Sequence, residues 1–207
     1  MKSESKYETI PSEDIIERTA ESLKANGIDV IITDNGVQAR QKILEIMPKG
    51  ANVMAMTSVT LNTVGVTKEI EESDRYNSIK KKLMGMDRGK QGQEMNQLGS
   101  APDYVVGSIH AVTQDGSVLI ASQSGSQLPA YAYGAGKVIW VVGAHKIVKN
   151  FEEGLKRVYE HSLPLESERA RIAYGVPGSA VNKLLVVNKE IRPGRIIMII
   201  IKEKIGF

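Results

Sequence analysis

The run APDYVVGSIHAVTQDGSVLIASQSGSQLPAYAYGAGKVIWVVGAHKIV, residues 101–148, gives the strongest indication of the architecture. It contains an apolar strand, a tight turn, a second strand, a polar glycine loop, a helix and another apolar strand. The glycine loop, Ser122 to Gln127, lies where a strand gives way to a helix. Backbone N–H groups at such a junction have no partner within the helix, so they suit an anionic small molecule.

Towards the N-terminus, helix and strand patterns alternate. Ser12 is expected to cap a helix that ends at Gly27 and is followed by a buried strand over 28–32. A helix over 36–47 then precedes a strand over 52–56. Because a strand, a helix and a strand with short links form a βαβ crossover, we expect an α/β fold. Its sheet would be Rossmann-like, mostly parallel and flanked by helices.

The remaining patterns complete this assignment. Further strands are expected over 103–106, 137–142, 183–188 and 195–201, and helices over 62–73, 89–98, 126–134 and, as a pair, 151–173. Asp115-Gly116 predicts a type I′ hairpin, because both residues tolerate positive φ. The link between the last two strands is too short for a helical crossover. These strands are therefore expected to pair antiparallel or to lie together at an edge.

Composition indicates an ordinary soluble protein. Hydrophobic residues make up 42% of the 207 residues and charged residues 25%, and no repeat or low-complexity linker divides the chain. We expect a flexible arm over 1–11 and a single α/β domain over 12–207. The net charge of +3 is mild and the basic residues are scattered, so no nucleic-acid partner is predicted.

Cysteine is absent, which excludes disulfides, a thiol nucleophile and a self-ligated iron–sulfur cluster. This composition fits a reducing cytoplasm. The polar N-terminus has no signal-peptide core, and the longest apolar run, Ile196 to Ile201, is too short to span a bilayer. A cytoplasmic location without a membrane partner is therefore expected, and a homo-oligomer is left open.

Small polar residues follow three predicted strands. In open α/β sheets, ligands bind at the carboxyl ends of the strands, so these residues are expected to line one crevice. The candidate ligand-binding residues are Ser58, Thr60, Ser108, Ser124, Gly125, Ser126 and Gln127. The N–H groups of residues 125–127 would hold an anion, and Lys183 or Arg195 would add positive charge. A plain helix cap is the alternative interpretation of the glycine loop.

His110 is the candidate catalytic residue, because it follows a strand and titrates near neutral pH. A structural histidine is the alternative. His145-Lys146 holds an equivalent position, where a surface loop is the simpler interpretation, and His161 is expected at the surface. The three histidines lack metal-binding spacing, so no metal site is predicted.

Several runs together resemble the LUD-domain, or lactate-utilisation, family over roughly residues 55–207. They are YVVGSIHAVTQDG, IASQSGSQLPAYAYGAGKVIWVVGAHKIVK, LPLESERARIAYG, NKLLVVNKE and PGRI. The resemblance implies the fold that ribose-5-phosphate isomerase, glucosamine-6-phosphate deaminase and CoA transferases share. It implies no catalyst, because residues 122–127 contain no counterpart of the acyl-accepting glutamate of CoA transferases.

The resemblance implies three functions. The leading hypothesis is a non-cluster component of a lactate-utilisation system, which oxidises L-lactate to pyruvate with iron–sulfur partner proteins. This component would bind a small anionic metabolite, a carboxylate or a phosphorylated compound. The first alternative is a stand-alone enzyme for a phosphosugar or CoA-like substrate. The second is an interaction module for the iron–sulfur partners that has no ligand of its own. The cofactor is unknown.

Overall fold

The computed structural model describes residues 5–207, which form ten strands and eight α-helices. The strands are β1 (Asp29–Thr33), β2 (Asn52–Ala55), β3 (Asn77–Ser78), β4 (Tyr104–Gly107), β5 (Ala111–Thr113), β6 (Val118–Ser122), β7 (Lys137–Gly143), β8 (Ile147–Val148), β9 (Lys183–Val187) and β10 (Ile196–Ile201). The helices are α1 (Glu13–Ala25), α2 (Gly36–Ile46), α3 (Val59–Val64), α4 (Val66–Glu72), α5 (Ile79–Met84), α6 (Arg88–Ser100), α7 (Phe151–Arg157) and α8 (Leu163–Tyr174).

The strands form two sheets. The larger sheet has six parallel strands in the order β1-β10-β7-β4-β2-β3. The smaller sheet has the order β8-β5-β6-β9, with β6 antiparallel to both of its neighbours. The α/β class, the mostly parallel sheet and the antiparallel hairpin are confirmed.

Apolar residues on both faces explain why the large sheet is parallel and central. In β7, Val138, Trp140 and Val142 pack into one hydrophobic cluster, whereas Ile139 and Val141 pack into a second cluster. All five side chains are fully buried. A strand that is covered on both faces has a continuous apolar sequence instead of an alternating one.

The predicted relation between the last two strands is wrong. β9 pairs with β6 in the smaller sheet, whereas β10 lies in the larger sheet between β1 and β7. All six residues of β10 are buried. The run IIMIII has the continuous apolar pattern of a central parallel strand, and the short link before it joins two different sheets.

The hairpin between β5 and β6 is confirmed, but its predicted turn type is wrong. Gly116 has φ +87°, whereas no non-glycine residue among those described has positive φ, so Asp115 does not adopt a type I′ conformation. The Gly116 N–H donates to the Thr113 carbonyl, and the Thr113 N–H donates to the Ser117 carbonyl. These two hydrogen bonds and the left-handed glycine define a three-residue hairpin loop, which is a common connection between antiparallel strands.

The helix predictions are partly confirmed. The predicted helix over 62–73 is two helices, α3 and α4, which meet at Gly65. The helix expected over 126–134 is mainly a π-helical turn, Ala130–Gly134. The short elements β3 and α5 were not predicted. No helix within residues 5–207 is long and apolar enough to cross a membrane.

Part of the predicted N-terminal arm packs against the domain. Residues 1–4 lie outside the described residues. Tyr7 is only 7% exposed, and its ring lies 5.8 Å from the ring of His161. The Lys6 ammonium lies 2.7 Å from the Glu153 carboxylate. These contacts hold the described part of the segment on α7 and the turn that follows it.

Candidate functional site

A cavity of about 400 Å³ lies where β2, β4 and β7 end. These three strands are consecutive neighbours in the parallel sheet. The residues that follow them include Thr60, Ser108 and Lys146, and all three line the cavity. The loop after β6, from the smaller sheet, forms part of the wall. This is the position that ligands occupy in open α/β sheets, and the volume suits a small metabolite.

The cavity brings together most of the residues predicted as a site. The predicted residues that line it are Ser58, Thr60, Ser108, His110, Ser124, Ser126 and Gln127. The strand-end residues named from the sequence therefore lie at the cavity. The two basic residues expected to supply positive charge, Lys183 and Arg195, do not line it, and neither does Gly125.

The glycine loop is largely satisfied by its own side chains. The Gly125 N–H donates to Ser122 Oγ at 2.8 Å, and the Ser126 N–H donates to Ser124 Oγ at 3.2 Å. The Lys183 ammonium donates to the Ser124 carbonyl at 3.0 Å. Two of the three N–H groups expected to hold an anion are thus already engaged. The loop contributes hydroxyl groups to the cavity, and Lys183 holds the loop from outside.

Arg195 is a structural residue in this fold. Its side chain is buried and lies 2.6 Å from Glu190, with hydrogen bonds to the carbonyls of Ala130 (3.3 Å) and Tyr131 (2.9 Å). These carbonyls belong to the π-helical turn that precedes β7. The guanidinium therefore fastens this turn to the start of β10, and Arg195 itself does not line the cavity.

His110 lines the cavity as a neutral imidazole. Burial, together with the positive charges of Lys146 and Arg157, lowers its pKa from 6.5 to about 3. Its Nδ1 accepts a hydrogen bond from the Ala121 N–H at 3.1 Å, so the proton of the neutral ring lies on Nε2. At neutral pH His110 is therefore a hydrogen-bonding group and not a charged acid.

The histidines with lowered pKa values predict sensitivity to acid. The pKa of His145 is also lowered to about 3, mainly by burial, so both rings bind protons more readily in the unfolded chain between about pH 3 and 6.5. The free energy of unfolding should fall as pH drops below 6.5, by up to about 1.4 kcal/mol per pH unit for each histidine. Urea denaturation from pH 7.5 to 4.5 measures the slope. His110→Gln should reduce this slope by the contribution of one histidine. A slope that the substitution leaves unchanged would contradict the lowered pKa of His110.

Lys146 is the site residue that the sequence interpretation missed. The surface-loop interpretation of His145-Lys146 is wrong, since each residue is 2% exposed, and His161 is also buried at 6%. The Lys146 ammonium group lies 3.0 Å from Ser108 Oγ, 3.1 Å from the Ile109 carbonyl and 3.3 Å from Thr60 Oγ1. Burial, then the charge of Arg157, lowers the pKa of Lys146 well below 10.5.

Local sequence explains how Lys146 reaches the cavity. β7 ends at Gly143, and a 3-10 turn, Ala144–Lys146, follows at once. A Cβ atom at Gly143 would lie 2.7 Å from the His145 ring, so glycine lets this ring pack closely against the end of β7. In the sequence, Lys146 stands between an apolar strand and the apolar pair Ile147-Val148, and this position is the feature that could have indicated a buried lysine.

Arg157 is a second buried basic residue beside the cavity. It is fully buried, and its Nη1 donates to the His110 carbonyl and, at 3.0 Å, to Ser162 Oγ. Its Nε and Nη2 atoms have no hydrogen-bond partner among the described residues. Burial lowers its pKa to about 10, so it remains charged at neutral pH. Within residues 5–207, neither Arg157 nor Lys146 has a carboxylate within 4 Å.

The other charged side chains at the cavity form ion pairs. Lys80 and Arg169 line it together with one acidic side chain, Glu166. Arg169 forms two hydrogen bonds with Glu166, at 2.6 and 2.7 Å, and its guanidinium lies 5.2 Å from the Tyr174 ring. Glu166 therefore neutralises Arg169, and Glu71 lies 2.8 Å from the Lys80 ammonium and neutralises it, so the basic groups at or beside the cavity without a carboxylate partner among the described residues are Lys146 and Arg157. In the described part of the chain, no group of three His, Asp or Glu residues could hold a metal ion.

Comparison with known proteins and protein families shows the family to which the chain belongs. A DUF162 family protein from Deinococcus radiodurans has a similar fold, with a TM-score of 0.56 and 12% identity over 92% of this chain and 99% of that chain. The beta subunit of eIF2B from Chaetomium thermophilum is only weakly similar, with a TM-score of 0.38 and 13% identity over 57% of this chain and 44% of that chain. Among curated proteins, none matches the sequence. The model of the LUD domain matches residues 16–201, and the chain therefore belongs to the LUD-domain family.

Proposed function

We propose that this LUD-domain protein binds a small anionic metabolite in the cavity at the ends of β2, β4 and β7. One observation carries the proposal. Arg157 is a buried cation beside the cavity, Lys146 presents a buried amine to it, and neither side chain has a carboxylate within 4 Å in residues 5–207. A buried charge is costly unless an opposite charge or hydrogen bonds compensate it. An anion in the cavity would supply that compensation.

The lining fits a carboxylate or a phosphate. Three hydroxyl groups, from Ser58, Thr60 and Ser108, lie near the same strand ends as Lys146. Ser58 already caps α3 by accepting from the Leu61 N–H, so its hydroxyl hydrogen can donate to a ligand. Oxygen atoms of an anion accept hydrogen bonds from hydroxyl and ammonium groups together, and such charge-assisted bonds are about twice as strong as neutral ones.

Ligand-induced stabilisation tests the proposal. The melting temperature of the pure protein is measured with lactate, pyruvate, sugar phosphates and CoA esters, alongside a neutral sugar. A ligand at about one hundred times its Kd should stabilise the protein by about 2.7 kcal/mol. Ser126 is exposed, so Ser126→Phe should narrow the cavity without disturbing the fold. This variant should therefore lose the shift in melting temperature. If no anion stabilises the protein, or if Ser126→Phe leaves the shift unchanged, the cavity is not the binding site.

Family membership extends the proposal to lactate utilisation. The chain would act as a non-cluster component that binds lactate or pyruvate in the cytoplasm and associates with iron–sulfur proteins. Because the sequence has no cysteine, any such cluster would reside on the partner. Co-purification from a cell grown on lactate, followed by iron analysis of the retained proteins, tests the association. Binding of a sugar phosphate in preference to lactate would instead favour the alternative substrate class.

A further inference from the structure

We propose that the Lys146 amine forms an imine with the carbonyl group of its ligand, which would be an aldehyde or ketone that also carries a carboxylate or phosphate. The inference rests on the proposed anion site and deepens it, because it names a reactive group and a substrate class. Three observations support it: the surroundings of the amine, the fixed charge beside it, and its position on the cavity wall.

Every hydrogen-bond partner of the Lys146 amine is a neutral oxygen. The partners are Ser108 Oγ, Thr60 Oγ1 and the Ile109 carbonyl, at 3.0 to 3.3 Å. These three oxygens can accept from an ammonium group or from the two hydrogens of a neutral amine, and none of them is a carboxylate that would hold the charged form. No anionic contact therefore stabilises the charged form, and in the uncharged form the nitrogen has the lone pair that attacks a carbonyl carbon.

A fixed positive charge lies close by. Arg157 is linked through its Nη1 to the His110 carbonyl and to Ser162, two residues that line the cavity. This charge and burial lower the pKa of Lys146, which favours the reactive amine. The same charge attracts the anionic end of the ligand. One cation would thus orient the substrate while it keeps its neighbour uncharged.

The reaction balances without a redox partner. The lone pair of Lys146 Nζ attacks the carbonyl carbon, and a C–N bond forms while the C=O bond becomes a C–O single bond. One proton moves from the nitrogen to this oxygen, with the Ser108 hydroxyl at 3.0 Å as the relay, and gives a carbinolamine. The C–O bond then breaks, the oxygen leaves as water with the second nitrogen proton, and the C=N bond remains.

A purely structural role for Lys146 makes a different prediction. The amine joins residues that follow β2, β4 and β7, so it would serve only to fasten three strand ends. A fastening lysine needs no reactivity and would react with an added carbonyl compound no faster than an exposed lysine does. Chemical trapping separates the two roles.

The experiment is reductive trapping on the full chain. The protein is incubated with pyruvate, glyoxylate or dihydroxyacetone phosphate, then with borohydride, and the adduct is mapped by peptide mass spectrometry. Lactate and inorganic phosphate serve as anions that have no aldehyde or ketone group, and their binding is followed by thermal shift. Lys146→Met removes the amine, and Lys42→Met removes an exposed lysine of α2 as a matched control.

We expect one dominant adduct at Lys146, at least tenfold above that of any other lysine, lost in Lys146→Met and kept in Lys42→Met. Lactate or phosphate should compete with its formation. If anions shift the melting temperature but adducts form only on exposed lysines, the imine is overturned and the anion site stands. If neither a shift nor an adduct is seen, both proposals fail.

Discussion

Lys146→Met is expected to weaken the binding of an anionic ligand at least tenfold and to make the ligand-free protein more stable. The loss of affinity follows from the loss of a donor in the cavity, because a hydrogen bond to a charged group contributes about 1.5–3 kcal/mol. The gain in stability has a separate cause. An apolar side chain of similar length avoids the cost of burying an amine that has no carboxylate partner in residues 5–207.

The gain should depend on pH with a definite sign. The pKa of Lys146 is lowered in the folded protein, so between that value and 10.5 the unfolded chain binds more protons than the folded one. The wild-type free energy of unfolding therefore rises with pH in this window, by up to about 1.4 kcal/mol per pH unit. The methionine variant lacks this slope. Its advantage, about 1–3 kcal/mol at pH 7, should shrink as pH approaches 10.5.

Urea denaturation at pH 7, 8.5 and 10 and isothermal titration with the best anion measure both effects. Lys42→Met is the control, because Lys42 forms an exposed pair with Glu45 and should change neither quantity by more than about 0.5 kcal/mol. A Lys146→Met protein that is less stable at every pH, yet binds anions as tightly as the wild type, would make Lys146 a structural lysine.

The sequence predicted the sheet and the position of the cavity because both depend on short-range patterns. Apolar runs identify β2, β4 and β7, and the polar residues after them include Thr60 and Ser108 at the cavity. Pairing between distant strands has no such local signal. The predicted pairing of β10 was wrong for this reason, since its two neighbours, β1 and β7, are both far from it in the sequence.

Charged residues were the harder part of the site. Lys183 and Arg195 flank strands in the sequence, yet one holds a loop from outside and the other is buried against Glu190. Lys146 and Arg157, which adjoin the cavity, were not proposed as site residues. Burial of a cation is a property of the tertiary structure, and composition favours the surface for any lysine or arginine. Only the packing around these four side chains distinguishes their roles.

Glu190→Gln tests whether Arg195 has a structural role or a role in binding. We expect the substitution to destabilise the protein strongly without loss of ligand binding. The Arg195 and Glu190 side chains are only 2% and 8% exposed, so the substitution leaves a buried guanidinium without its counter-charge. Removal of one partner of a buried pair costs about 3–5 kcal/mol, or roughly 6–20 °C in melting temperature for a domain of this size. Arg195 holds the carbonyls of Ala130 and Tyr131, and Tyr131 lines the cavity. Ligand affinity should nevertheless change less than threefold, because neither Arg195 nor Glu190 lines the cavity.

The control for this effect is Glu45→Gln. It removes the same carboxylate from a pair whose side chains are 47% and 48% exposed, and such exposed pairs contribute at most about 1 kcal/mol. Thermal denaturation and isothermal titration of both variants provide the comparison. If Glu190→Gln melts like the wild type but loses ligand affinity, Arg195 acts in binding, as its sequence position suggested. If it melts far below both the control and the wild type and still binds, the groups that recognise the anion are Lys146 and Arg157.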